Sequence, residues 1–247
     1  MRVSLGEPTR YGYSLPLIRY NLCKKYLKKL GKKGLILDYG CGNGANTIFF
    51  KNAAKKIIGI DVEQNRVSEA IREAKQREIA NIIYKKYNGR KIPFKDQSFD
   101  AIISFEVLEH TKNDKHSLKD IWRTLKPNGI LCLSVPNKWY LMETHGFNLP
   151  LKKIIPWNRI PFLNLMPNVF YLKYGNARIY TKKGVCGLLK DNNFHIISTC
   201  YIKPPLDKIK NKRIWGIINT IIQKLPEFMG VSIFVTARRD NENEYIK

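Results

Sequence analysis

The chain has 247 residues, enough to bury one α/β core with insertions, and no Pro/Ser/Gly-rich linker divides it. No apolar run reaches the length of a spanning helix, and residues 1 to 30 carry charge and tyrosine throughout, so neither a membrane span nor a secretory leader is expected. Lys and Arg number 44 against 20 Asp and Glu, and the net charge of +24 points to anionic partners: nucleic acid, an acidic lipid surface or a phosphorylated substrate. A lysine-rich proteome would give the same balance, because the lysines are scattered along every segment. The five cysteines (23, 41, 132, 186 and 200) are odd in number, and three fall where burial is expected; they read as reduced thiols of a cytosolic protein.

Residues 1 to 13 contain Arg10, Tyr11 and Tyr13 without clear periodicity. From Leu15 to Leu30, apolar positions 18, 22, 23, 26, 27 and 30 recur at helical spacing with lysines between them, predicting an amphipathic helix that ends at Gly31 and covers the sheet. The stretch Leu35 to Thr47 comes next. Its short apolar run ends in Asp38, passes glycines at 40, 42 and 44, and becomes helix-compatible, as where a buried parallel strand turns tightly into a helix. Glycines let backbone and ligand approach closely, and a helix N-terminus beyond them offers unpaired N–H groups.

Gly40, Gly42 and Ala45 also satisfy the dinucleotide pattern G-x-G-x-x-G/A, so the glycines alone do not choose the ligand. Ile57 to Asp61 is a second apolar strand whose terminal carboxylate is placed to accept both hydroxyls of an adenosine ribose. Asp38 would repel a pyrophosphate and suits a ligand with a cationic amine.

The pattern continues as strand 35–39, helix 44–53, strand 56–61, helix 63–78, strand 82–87, strand 99–105, helix 114–125 and strand 129–135. Such alternation implies a parallel sheet, helices on both faces and ligand at the carboxyl ends of the strands. Phe99 reads as core and Asp100 as a cap or an ion-pair partner. Residues 138 to 176, with Trp139, Tyr140, Trp157, Phe162, Phe170, Tyr171 and Tyr174 among four prolines, are too long for a plain connection. Thr181 to Leu189 reads as a helix capped by Thr181, and His195 to Tyr201 as the sixth strand. Residues 207 to 225 combine an apolar face with Lys208, Lys210, Lys212, Arg213 and Lys224, which suits an interfacial helix on an acidic bilayer or a core-facing helix of a basic protein. Val231 to Ala237 is a final strand, and 240 to 247 a frayed polar tail.

Together with Pro93 to Asp100, Phe105-Glu106-Val107-Leu108-Glu109-His110 and Leu125 to Gly129, these motifs give a chain that, over residues 33 to 137, resembles the class I S-adenosylmethionine-dependent methyltransferases. The nearest branch includes the ubiquinone-biosynthesis O-methyltransferases. The resemblance implies an α/β, Rossmann-like, doubly wound sheet of seven mostly parallel strands with a reversed edge strand, in three αβα layers, with a lid insertion after the fifth strand. The whole chain, 1–247, would be one domain, with an N-terminal helical cover at 1–31 and insertions at 138–176 and 203–229.

Carried over residue by residue, the expected cofactor contacts are Asp38, Gly40, Gly42, Asp61, Asn88 and the backbone near Phe105. Asn88 stands where the family usually has an aspartate that accepts from the adenine amino group; its amide carbonyl can still accept. Glu106, Glu109 and His110 form a cluster similar to one that, with a later histidine, holds a divalent cation in enzymes methylating the 2′-hydroxyl of small RNAs and in some ubiquinone-pathway enzymes. His145 is the candidate fourth ligand and Mg2+ the implied ion. The other reading has the Glu and His cap the next helix and tie down the loop. His145 and His110 are the candidate catalytic residues, His145 as general base, whereas His116 and His195 look structural.

The function expected is O-methylation of a hydroxylated small-molecule or lipid-linked acceptor by a cytoplasmic enzyme, with peripheral contact at the inner face of an anionic membrane. The competitors are an RNA 2′-O-methyltransferase, which lacks a recognisable RNA-binding module here, and a non-catalytic cofactor-binding regulator.

Overall fold

The computed structural model describes residues 9–142, 145, 161–166, 176–207 and 209–240. Its strands are β1 (Leu35–Tyr39), β2 (Lys56–Asp61), β3 (Ile82–Lys86), β4 (Phe99–Phe105), β5 (Leu125–Pro136), β6 (Phe194–Ile202) and β7 (Ser232–Arg239). They form one sheet in the order β3-β2-β1-β4-β5-β7-β6. The first five pair in parallel, while β7 runs antiparallel to both β5 and the outermost β6. The central strands are apolar on both faces because both faces are covered. On one side, α1 (Ser14–Leu27) and α2 (Gln64–Gln76) bury Cys23, Leu27, Val67 and Ala70 against Ile36, Ile57 and Ile103. On the other, α3 (Asp114–Thr124) and α4 (Lys182–Lys190) bury Leu118, Ile121, Val185 and Leu189 against Leu37, Ile102 and Leu133.

Local expectations met here include the α4 cap, where Thr181 Oγ1 accepts from Gly184 N at 3.0 Å. Asp100 accepts from Leu35 N at 2.8 Å and pairs with Lys126 Nζ at 2.7 Å. Phe99 is fully buried, and all five cysteines are free thiols, three of them buried. His116 and His195 are exposed.

Three boundaries differ. The helix expected over 44–53 is only a 3-10 turn, Thr47–Phe50. Thr47 spends its hydroxyl on Asp38, Phe50 is drawn into the core, and a β-branched and aromatic run favours helix poorly. Strand β5 begins at Leu125, bending through Asn128 with φ +60 instead of starting after it. The amphipathic pattern at 207–225 becomes α5 (Lys212–Lys224), started by Asn211, whose side chain accepts from Arg213 N and Ile214 N. Of the insertion, Trp157, Phe170, Tyr171 and Tyr174 lie outside the described residues, as do 1–8 of the N-terminal segment and 241–247 of the tail.

Candidate active site

The carboxyl ends of β1, β2 and β4 converge on one cradle. Gly40 N and Cys41 N both donate to Ile60 O, at 2.8 and 3.0 Å, folding the turn after β1 onto the end of β2. Gly40 has φ +76, and a Cβ there would lie 2.4 Å from Val107 Cγ2, so the position demands glycine twice over. Gly42 N donates to Asp61 Oδ2 at 2.8 Å and Glu63 N to Asp61 Oδ1 at 2.9 Å. Each Asp61 oxygen is thereby aimed by one backbone N–H and keeps a second lone pair for a sugar hydroxyl. Above the turn, the Tyr11 hydroxyl donates to Asn43 O, which brings Tyr11 against the glycine turn.

Asp38 is buried, and burial pushes its carboxyl up to about 7, with Asp61 adding to the rise while the Thr47 hydroxyl (2.6 Å) and Arg19 oppose it. An ammonium arriving beside it would relieve that penalty. The 3-10 turn that follows supplies no extended helix dipole, which suits a nucleoside ligand without phosphate better than a pyrophosphate.

Arg19 was not anticipated. It stands one helical turn before Cys23, and that spacing put it on the buried side of α1; a lone Arg within an apolar stripe was the available signal. It is 1% exposed, its Nη2 lies 3.1 Å from Glu106 Oε1, and its guanidinium sits 5.4 Å from the Phe105 ring centroid. Nη1 donates to Asn46 Oδ1 at 3.3 Å, whereas Nε and Nη2 meet no acceptor in hydrogen-bond geometry among the described residues. A buried guanidinium with donors to spare suits a ligand carboxylate. Burial lowers its pKa, and Glu106 and Glu109 pull it back up.

Asn88 is exposed, and its Oδ1 accepts from Arg90 N at 3.0 Å. The amide oxygen assigned to adenine thus closes a local turn and has one lone pair left. Phe105, at the end of β4, is buried between Phe50 and Phe234, with centroids at 6.2 and 6.3 Å.

The Glu-x-x-Glu-His cluster divides. Glu106, with φ +56, turns to Arg19 and accepts from Ser134 Oγ at 2.9 Å, apart from the other three residues of the expected metal set. Glu109, His110 and His145 do meet. His145 Nε2 and His110 Nε2 lie 3.6 and 3.8 Å from Glu109 Oε1, the two rings are 5.0 Å apart, and one ligand atom from each residue falls within 4.8 Å of the others. Glu109 is fully buried; burial pushes it up to about 7, helped by Glu106 and opposed by His145. Its carboxylate oxygens meet no hydrogen-bond donor among the described residues.

The segment after the insertion locks this group in place. Asn176 Nδ2 donates to His145 O at 3.1 Å, Arg178 N to Glu109 O at 3.2 Å, and the Arg178 guanidinium to Thr111 O and Lys112 O at 2.6 and 2.8 Å.

Residues 37–133 match the family described as "Methyltransferase domain". Over 139 residues the chain is 30% identical to a demethylmenaquinone methyltransferase of Lactococcus lactis, spanning 54% of this chain and 55% of that protein. It is 33% identical over 116 residues to a mitochondrial ubiquinone biosynthesis O-methyltransferase of Dictyostelium discoideum, spanning 43% of this chain and 36% of that one. The chain spans about half or less of the length of such curated relatives. A solved S-adenosylmethionine-dependent methyltransferase from Mesorhizobium loti shares the fold, with a TM-score of 0.61 at 17% identity over 90% of this chain and 98% of that one.

Proposed function

We propose, on the premise that this chain belongs to the S-adenosylmethionine-dependent methyltransferases, that it methylates a hydroxyl of a small-molecule or lipid-linked acceptor. The observation that carries this reading is the buried, charge-strained Asp38 beside the spare donors of Arg19, a pair suited to an amino-acid ammonium and carboxylate, with Asp61 held ready for a ribose. When bound, S-adenosylmethionine supplies an electrophilic methyl on a sulfonium. The protein's work is then to orient the acceptor, exclude water and remove one proton.

His145 takes that proton, and Glu109 behind it stabilises the imidazolium so formed. The quinone-pathway relatives support an aromatic or polyprenyl-type acceptor. A second reading is favoured by the convergence of Glu109, His110 and His145 within 4.8 Å: a divalent cation such as Mg2+ held there would acidify the acceptor hydroxyl directly. Full activity in chelator supports the histidine as base; activity lost in chelator and restored by magnesium or manganese supports the cation.

The deciding experiment combines two measurements. Calorimetry with S-adenosylhomocysteine tests the cofactor, and absence of heat overturns the reading. Incubation of the protein and radiolabelled methyl donor with a cell extract, followed by fractionation, tests the acceptor. Label in the lipid or small-molecule fraction is expected, label in RNA replaces the acceptor class, and binding without label in any fraction favours a regulator.

A further inference from the structure

We propose that α5 and the turn behind it dock this protein on an anionic phospholipid surface, at the edge of the sheet where the candidate active site opens. Among the described α-helices α5 is the one with no buried residue. Ile214, Ile217 and Ile221, spaced three and four apart, share one face and are 50%, 64% and 56% exposed. Trp215 and Phe228, 43% and 48% exposed, extend the apolar surface at either end. Such a helix gains nothing from the core, so the apolar stripe has no reason of its own to face water.

Charge identifies the occupant. On the helical wheel Arg213 and Lys224 border the isoleucine stripe on one side, Lys212 and Lys210 stand at the N-terminal end, and the helix carries no acidic residue. Asp207 and Glu227 are the acidic neighbours in the flanking segments; Asp207 is occupied by Ser14, whose N and Oγ both donate to it at 3.0 Å. Lys203 Nζ donates to Gln223 O at 2.8 Å, fixing one more cation near the C-terminal turn. A second copy is disfavoured as the cover, because a net charge of +24 repels it. An apolar stripe with a basic border fits an acidic bilayer, with the isoleucines among the acyl chains and the cations at the headgroups. No helix of the described residues is long and apolar enough to cross a membrane, so the contact lies in the interface plane.

The placement gives this surface a use. The loop carrying α5 leaves the sheet at the end of β6 and returns at the start of β7, beside the end of β5. Asn137, just past β5, clamps it there, its Nδ2 donating to Phe228 O and Gly230 O, both at 2.7 Å. Trp139, 44% exposed, emerges two residues later. Apolar surface from α5 and from the start of the post-β5 insertion therefore shares one end of the sheet, that of the candidate active site. The docking stands on these observations alone and does not depend on the proposed acceptor.

The test is sedimentation of the full chain with vesicles of equal parts phosphatidylglycerol and phosphatidylcholine, against phosphatidylcholine alone. Binding to the acidic vesicles only, weakening with salt, is expected. Ile217→Glu with Ile221→Glu should lower the partition about tenfold, and Arg213→Gln with Lys224→Gln by a similar factor, with circular dichroism and thermal midpoint unchanged. Trp215→Phe should reduce a blue shift of tryptophan emission seen on vesicle addition, the rest coming from Trp139. Equal binding to neutral vesicles, or a double glutamate variant that still binds, overturns the proposal. So does a concentration-dependent dimer abolished by that variant, or salt-sensitive retention on RNA without vesicle binding. Cofactor calorimetry on the same samples separates this result from the methyltransferase reading, since neither variant touches the cradle.

Discussion

Replacing Asp38 with Asn should make the unliganded protein more stable and the cofactor-bound one harder to form. In an unfolded chain this carboxyl ionises near 3.8, and in the folded one at about 7. Between those values the folded state holds the extra proton, so the wild-type protein loses stability as pH rises, and above about 7 the whole cost is in place. Carrying a buried carboxyl that far costs about 4 kcal/mol, with the opposing bond from Thr47 already included. Asp38→Asn should therefore gain about 4 kcal/mol in urea denaturation at pH 8, and the gain should shrink toward zero by about pH 4. Its Kd for S-adenosylhomocysteine should rise about a hundredfold, the scale of one lost buried charge pair, while adenosine, which lacks the amine, should bind as before. A variant no more stable at pH 8, or one whose advantage is the same at both pH values, would refute the reasoning.

Three further outcomes follow from the same geometry. Gly40→Ala places a methyl 2.4 Å from Val107 Cγ2 at φ +76, so it should cost about 2–4 kcal/mol, with Val107→Ala restoring only the packing part; denaturation of the double variant measures this. Arg19→Met should weaken S-adenosylhomocysteine about tenfold or more by calorimetry and leave adenosine untouched, and equal losses for both ligands would place Arg19 outside the amino-acid end. His145→Gln should lower kcat about a hundredfold and flatten the acidic limb of the pH profile; a comparable loss in wild-type protein treated with chelator would transfer the role to a cation.

What the sequence revealed best was what repeats locally. The strands at 35–39, 56–61 and 99–105 emerge at their read positions, because an apolar run between glycine and lysine clusters has one comfortable home in a two-sided sheet. The meeting of Asp38, Gly40, Gly42 and Asp61 was legible because one turn fixes the first three and Asp61 ends the neighbouring parallel strand. Glu106 was not, since adjacency in a motif says nothing of which way a residue with φ +56 aims its side chain. Arg19 escaped notice because its partner lies 87 positions away in the chain (106 − 19), and only the sheet brings the two together. Asn176 likewise shows its use only once His145 is seen beneath it.

The clasp between Arg19 and Glu106 also redraws the smallest unit that can work. The block that matches the methyltransferase family, 37–133, starts 18 residues after Arg19 (37 − 19) and stops 12 before His145 (145 − 133). A fragment trimmed to that block keeps the glycine turn and Asp61 yet forfeits the guanidinium and the imidazole together. The glycine turn and Asp61 thus lie inside the matched block, and Arg19 and His145, on which two of the predictions rest, lie beyond its two ends.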